Sequence, residues 1–349
     1  MAKGPSEQLI LITGASGFVA AHVLNEFLSA GYKVRGTVRS ENSANQVRQS
    51  HAKYADRLSF AIVPDILAPS AFDEAVKGVD GVIHTASPFV LAVEDNERDL
   101  LKPAILGTQN ILKSVHAHAP QVRRVVITSS YAALADMSKG AWPGHTYTEE
   151  DWNPDTYELA AKKDTSGVIA YCASKKLAEK AAWDFLEKEK PNFTVATICP
   201  PMVYGPLLQE KVTIKTLNSS AADIYQFMAP TNKPDMPVAT QFVFSWVDAR
   251  DVSLAHLRAY EKEEAANQRF FIVGGNFSYQ GVCDIIRKNL PELRDRVPIG
   301  KPGTEFGGME LYKVNNEKSR KILGLTYPRS LEETMTDTAR SLLELEKKA

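Results

Sequence analysis

The chain has 349 residues, 44% hydrophobic and 24% charged, with 41 basic and 42 acidic side chains and a formal net charge of -1. This composition suits one large α/β domain with an elaboration, or two domains. It offers no positive excess for nucleic acid or an anionic membrane, and no apolar run approaches the ~18 residues of a membrane span.

The polar stretch from Met1 to Gln8 lacks the pattern of a signal peptide. Cys172, Cys199 and Cys283 are odd in number and widely spaced. They argue for a reducing compartment, expected to be the cytoplasm, and against a disulfide framework or a metal site.

Leu9-Ile10-Leu11-Ile12 reads as a buried parallel strand. It runs into Thr13-Gly14-Ala15-Ser16-Gly17-Phe18-Val19-Ala20 and then a helix through Leu28. Gly14 permits a tight turn. Gly17 lets the helix N-terminus approach a pyrophosphate, whose charge suits the helix dipole and its free N–H groups. Ala20 is small enough for close helix–strand packing. A second strand, Lys33 to Val38, ends at Arg39-Ser40 with no acidic residue. Sites that prefer NAD usually place a carboxylate there, whereas an arginine suits the 2′-phosphate of NADP. Arg35 and Arg48 are near enough in sequence to share that task.

Leu58 to Val63 is a third strand leading to Pro64-Asp65-Ile66, a rim contact for adenine. Gly81 to Ser87 is a fourth, ending in the small residues Thr85, Ala86 and Ser87, which leave room for a cofactor over the sheet edge. His84 inside it reads as a satisfied core histidine. A helical pattern from Asp95 to Ala117 contains Pro103, which should kink it or begin a new helix. Arg124 to Ser130 is a fifth strand with Ser129 and Ser130 at its carboxyl end, where ligands of open parallel sheets bind. A polar segment with Trp142 and Trp152 reads as a surface excursion.

A run of good helix formers starts near Gly167 or Tyr171 and continues to Glu189. Positions four apart share a helix face, so the Tyr171 phenol and the Lys175 ammonium point the same way. A free phenol titrates near ~10. A fixed cation beside it is expected to lower that value and make it a usable proton donor. Alone, such a pair arises often by chance. Thr194 to Cys199 is a sixth strand, broken by Pro200-Pro201. Further on, Gln241–Trp246 and Arg269–Val273 read as strands, and Asp248–Tyr260, Tyr279–Leu290 and Ser330–Lys347 as helices. The expected division is 1–206 for dinucleotide binding and 207–349 mainly for substrate, with segments returning to the main sheet.

Thr13-Gly14-x-x-Gly17-x-x-Ala20, Thr128-Ser129-Ser130 and Tyr171-x-x-x-Lys175 together resemble the extended short-chain dehydrogenase/reductases. His84-Thr85-Ala86-Ser87-Pro88-Phe89, Tyr171-Cys172-x-Ser174-Lys175-Lys176, Val247-Asp248-x-Arg250-Asp251-Val252 and the late Gly300-Lys301-Pro302-Gly303 are similar to fungal aldehyde and ketone reductases of the methylglyoxal type and to plant dihydroflavonol reductases. The resemblance implies a Rossmann-type doubly wound parallel sheet with a smaller, mostly C-terminal substrate domain. It implies NADPH as cofactor and a small-molecule carbonyl compound as substrate, in a monomer or homodimer.

Ser130 would polarise the carbonyl, Tyr171 would donate the proton, and Lys175 would lower the tyrosine pKa and hold the ribose. Cofactor contacts are expected from Gly14, Ser16, Gly17, Phe18, Val19, Arg39, Asp65, Ile66, Thr85, Ala86 and Ser87. Pro200, Met202 and Val203 would lie against the nicotinamide, and Phe89, Tyr131, Met202 and Tyr204 would line the substrate pocket. Many relatives place an asparagine where this chain has Ala104, so the relay is expected to run from Tyr171 through the ribose and Lys175 to water. The competing readings are a nucleotide-sugar epimerase or dehydratase, in which an acid usually follows the second strand, and a non-catalytic sensor of NADP.

Overall fold

The computed structural model describes residues 3–87 and 93–348. Among the described residues the twelve strands are β1 Leu9–Thr13, β2 Lys33–Val38, β3 Leu58–Ile62, β4 Gly81–His84, β5 Arg124–Thr128, β6 Thr146–Tyr147, β7 Thr194–Cys199, β8 Met202–Tyr204, β9 Ser245–Asp248, β10 Gln268–Phe271, β11 Gly275–Asn276 and β12 Lys313–Val314. The α-helices are α1 Phe18–Ser29, α2 Glu41–Ser50, α3 Lys102–His118, α4 Tyr157–Ala160, α5 Gly167–Glu189, α6 Ser219–Tyr225, α7 Ala249–Glu261, α8 Tyr279–Asn289 and α9 Leu331–Lys347.

Seven strands form one parallel sheet in the order β10-β7-β5-β4-β1-β2-β3. It is the doubly wound sheet that the resemblance implies. Its strands are apolar on both faces because both are covered. Ile10, Ile12, Val34 and Val126 pack against Leu24 and Phe27 of α1 and Val252 and Ala255 of α7. Leu11, Val82, Val125 and Ile127 face Ile111 and Val115 of α3 and Ala182 and Phe185 of α5. Each large side chain buried this way contributes about 1.5–3 kcal/mol.

The chain winds outward from β1 through β2 to β3, then crosses back to place β4 on the other flank of β1. That reversal opens a crevice at the carboxyl ends of β1 and β4, the place where such sheets bind ligands. A second sheet, β11-β9-β8, and a third core around Ile224, Phe277, Val282 and Met335 form the C-terminal layer. The later half returns to the main sheet through α7 and β10.

Pro103 lies in the first turn of α3, directly after a π-helical turn at Glu97–Leu101, so the proline begins a new helix. The segment around Trp142 and Trp152 is the expected surface excursion, anchored to the core at a few points. Tyr147 is buried, the buried Asn153 amide donates to the Ala135 carbonyl at 2.8 Å, and the Arg269 guanidinium lies 3.5 Å from the Trp152 ring centre. Among the described residues no helix is long and apolar enough to cross a membrane. All three cysteines are buried and unpaired.

Candidate active site

The crevice is built first from β1. Gly14 has φ +66°, and its amide donates to the Thr37 hydroxyl at 3.1 Å. A methyl at Gly14 would come within 2.9 Å of the Ala86 Cα, so the turn lies directly against the end of β4. Thr13 clamps the two strand ends, its hydroxyl oxygen accepting from the Thr85 and Ala86 amides at 3.1 Å each. With both amides donating, the Thr13 proton goes to His84 Nδ1 at 2.9 Å, which makes that nitrogen an acceptor. Burial pushes the His84 imidazole down to about 4, so it is neutral and structural, as its place in a strand suggested.

Gly17 has an ordinary φ of −74°, and no side chain caps α1 behind it. The first amides of the helix, from Phe18 and Val19, open toward the crevice beside the exposed Ser16 and Gly17. At the end of β2, Arg39 is exposed and has no side-chain partner among the described residues. Arg35 is committed elsewhere, donating to the Ala75 and Lys77 carbonyls at 2.8 Å each. Arg48 pairs with Asn45 and lies over the Phe60 ring. Asp65 accepts from the Leu67 amide at 2.8 Å, and the Ile66 carbonyl accepts from Asn110, which shapes the rim. An uncapped helix end, a close glycine turn and a free guanidinium are the donor set that a dinucleotide with an added phosphate needs.

The residues expected to react follow β4 and β5 or lie on α5. Ser166 caps α5, accepting from the Ile169 amide, and the helix then runs unbroken past both Tyr171 and Lys175. The Tyr171 phenol hydrogen-bonds the Ser130 hydroxyl. Burial holds that phenol above its ordinary value, and the serine hydrogen bond opposes the shift. Desolvation sets the direction of that shift, and Lys175 is not among its causes. Lys175 is buried, its ammonium 5.3 Å from the Tyr171 ring centre, and burial pushes it down to about 8. Its Nζ donates to the Ser87 hydroxyl.

The two serines after β5 divide. Ser129 donates to Glu179 Oε2 at 2.5 Å, so its proton is committed away from the crevice. The Ser130 oxygen accepts from the Ala132 amide at 3.1 Å, which leaves its proton for Tyr171 or a ligand. Glu179 had no motif to mark it, although it repeats the four-residue spacing of Tyr171 and Lys175.

Two expected pocket residues are packed against hydrophobic clusters. Tyr131 is buried, stacked on Phe271 at 5.5 Å and edge-on to Tyr147 at 5.1 Å. Tyr204 is also buried, its hydroxyl donating to Asp223 at 2.6 Å and its ring edge-on to Phe277. Met202 is half-buried at the start of β8, Val203 is buried beside it, and the Pro200 carbonyl accepts from the Tyr131 amide at 2.8 Å. Phe89 lies outside the described residues. Ala104 is buried on α3, and no polar side chain stands at that position.

A glycine turn at the sheet's switch point and a Ser–Tyr–Lys cluster at the next strand end define a dinucleotide-dependent enzyme of the short-chain type. The NAD dependent epimerase/dehydratase family matches residues 10–274, and the chain belongs to it. It is 38% identical to the NADPH-dependent methylglyoxal reductase GRE2 of Saccharomyces cerevisiae, over 97% of this chain and 98% of that protein. It is 40% identical to the ketoreductase azaE of Aspergillus niger, over 98% and 99%. Among solved structures it matches the yeast methylglyoxal/isovaleraldehyde reductase Gre2 complexed with NADPH, with a TM-score of 0.91 and 38% identity over 98% of this chain and 100% of that one.

Proposed function

We propose that the chain is an NADPH-dependent carbonyl reductase that converts aldehydes or ketones to alcohols. The observation that carries this reading is the Ser130–Tyr171 hydroxyl pair, with the Lys175 ammonium beside it, at the sheet edge next to the crevice. NADPH, when bound, supplies the hydride that adds to the carbonyl carbon. Ser130 donates a hydrogen bond to the carbonyl oxygen as negative charge develops there. Tyr171, kept protonated by burial, gives its proton to that oxygen. Lys175 holds the ribose hydroxyls and stabilises the phenolate left behind. Ser87, which accepts from the lysine, continues the proton path toward solvent in place of the family asparagine absent at Ala104.

The family includes epimerases, and its name alone selects no activity. Arg39 and the absence of an acid after β2 favour NADPH and reduction, as do the names of the relatives. Retention of Ser130, Tyr171 and Lys175 speaks against a sensor without activity. We assign a hydrophobic aldehyde or ketone as substrate, a cytoplasmic location, and a monomeric or homodimeric state. Residues 1–206 bind the dinucleotide, and 207–349 mainly bind substrate.

The test is NADPH oxidation with a panel of aldehydes and ketones, in the parent and in Tyr171→Phe. The parent should consume NADPH, and the variant should turn over about 10²–10⁴-fold more slowly while still binding NADPH. A parent inert toward every carbonyl offered overturns the reading. Undiminished turnover in Tyr171→Phe removes the tyrosine from its role.

A further inference from the structure

Glu179 is 1% exposed and lies on the face of α5 that carries Tyr171 and Lys175. Its carboxylate gathers donors from three adjacent strands of the sheet. From the end of β5 comes the Ser129 hydroxyl at 2.5 Å, and from β7 the Thr197 hydroxyl at 2.8 Å. From β10 comes the Arg269 guanidinium, at 2.6 and 3.3 Å. The Trp183 indole, one turn along α5, adds a fourth donor at 3.2 Å, and the Cys199 thiol of β7 a fifth at 3.7 Å. The Trp152 ring stacks 3.5 Å from the Arg269 guanidinium, which also donates to the Glu149 and Asp151 carbonyls.

A carboxylate can only accept, so the Ser129 proton is committed to Glu179. The next residue, Ser130, bonds to Tyr171 instead. A buried ion pair is weak as a source of stability compared with apolar side chains of the same volume. Its arrangement here instead decides which serine of the pair faces the reacting atoms.

We propose that Glu179 is a positioning residue for the reaction: by holding the Ser129 hydroxyl on the far side of the strand end, it presents Ser130 to Tyr171 and the carbonyl oxygen. It touches neither cofactor nor substrate and acts through Ser129. The inference rests on the reductase reading.

Ser129→Ala and Thr197→Val each remove one hydroxyl from the same carboxylate and leave the Glu179–Arg269 pair in place. If Glu179 acts through Ser129, Ser129→Ala lowers kcat about tenfold or more, because displacements near 1 Å cost up to ~10²-fold in rate. KM for NADPH stays unchanged, and Thr197→Val keeps kcat within about twofold. Glu179→Gln, where it folds, lowers kcat as well. It lowers kcat less in the Ser129→Ala background than in the parent, since the two share one path. Equal kcat in the folded Ser129→Ala and Thr197→Val variants overturns the proposal, as do losses that multiply in the double variant. A parent with no carbonyl reductase activity removes the reading itself and the proposal with it. An active parent with equal single variants removes the proposal alone.

Discussion

Among the three arginines near the end of β2, the structure leaves one available. Arg35 is spent on the carbonyls of Ala75 and Lys77, and Arg48 on Asn45 and the Phe60 ring. Arg39 is exposed, with no side-chain partner among the described residues. Charge-assisted hydrogen bonds contribute roughly 1.5–3 kcal/mol, on the order of a ten- to hundredfold preference. Arg39→Asp should therefore shift the ratio of kcat/KM for NADPH over NADH by about that factor, with kcat at saturating cofactor nearly unchanged. Steady-state kinetics with both cofactors checks this, and an unchanged ratio returns Arg39 to the ordinary surface. The candidate was legible in the sequence because the sign of charge after the second strand requires no geometry. Discarding Arg35 and Arg48 required knowing where their guanidinium groups end. The choice between Ser129 and Ser130 became physical only when Glu179 was found holding the first of them.

At the scale of elements, the β1–α1 turn separates two uses of glycine. Gly14 sits at φ +66° with no room for a methyl, whereas Gly17 has an ordinary φ, and a methyl there would meet the Gly14 carbonyl at 3.3 Å and the Ala20 Cβ at 3.9 Å. Gly14→Ala should lower the melting temperature, with a cost of about 1–3 kcal/mol for the strained backbone. Gly17→Ala should fold nearly as the parent does but bind NADPH more weakly, because its methyl projects where the phosphates approach the helix. Thermal melting and NADPH titration of both variants test the distinction. If Gly17→Ala binds like the parent, the α1 terminus is not the phosphate site. Most elements were legible from apolar runs and helix formers, and their ends were less so. The fourth strand was expected to reach Ser87, but β4 ends at His84 because the next two amides turn onto the Thr13 side chain. The strand expected at Gln241 begins only at Ser245, since the Gln241 amide binds the Val243 and Phe277 carbonyls and its oxygen takes the Tyr279 amide.

For the whole molecule, buried histidines predict how stability follows pH. Burial holds His22, His84 and His256 at about 4, against an ordinary 6.5. Unfolded, each takes up a proton below 6.5, and folded it does so only near 4. Their contribution is therefore complete above 6.5 and is lost as pH falls from 6.5 to about 4, by a few kcal/mol each in order of magnitude. Asp251 acts in the opposite direction. Burial raises it from 3.8 to about 6 despite its ion pair with Arg329, so it regains stability as pH falls through that range and offsets part of the loss. The melting temperature should decline across pH 6.5 to 4, and a flat profile there would show that these rings are accessible to protons. The sequence by itself determined the alternation of strands and helices, the glycine turn, the basic residue after the second strand and the Tyr171–Lys175 spacing. All of these are local, set by periodicity, backbone freedom and charge within a few residues. Only the tertiary structure decided that Tyr131 and Tyr204 turn into cores and that burial raises the Tyr171 phenol. It also decided that one carboxylate on α5 takes the first of the two serines after β5. Those outcomes depend on which distant side chains exclude water and supply hydrogen-bond partners, and spacing along the chain carries no record of them.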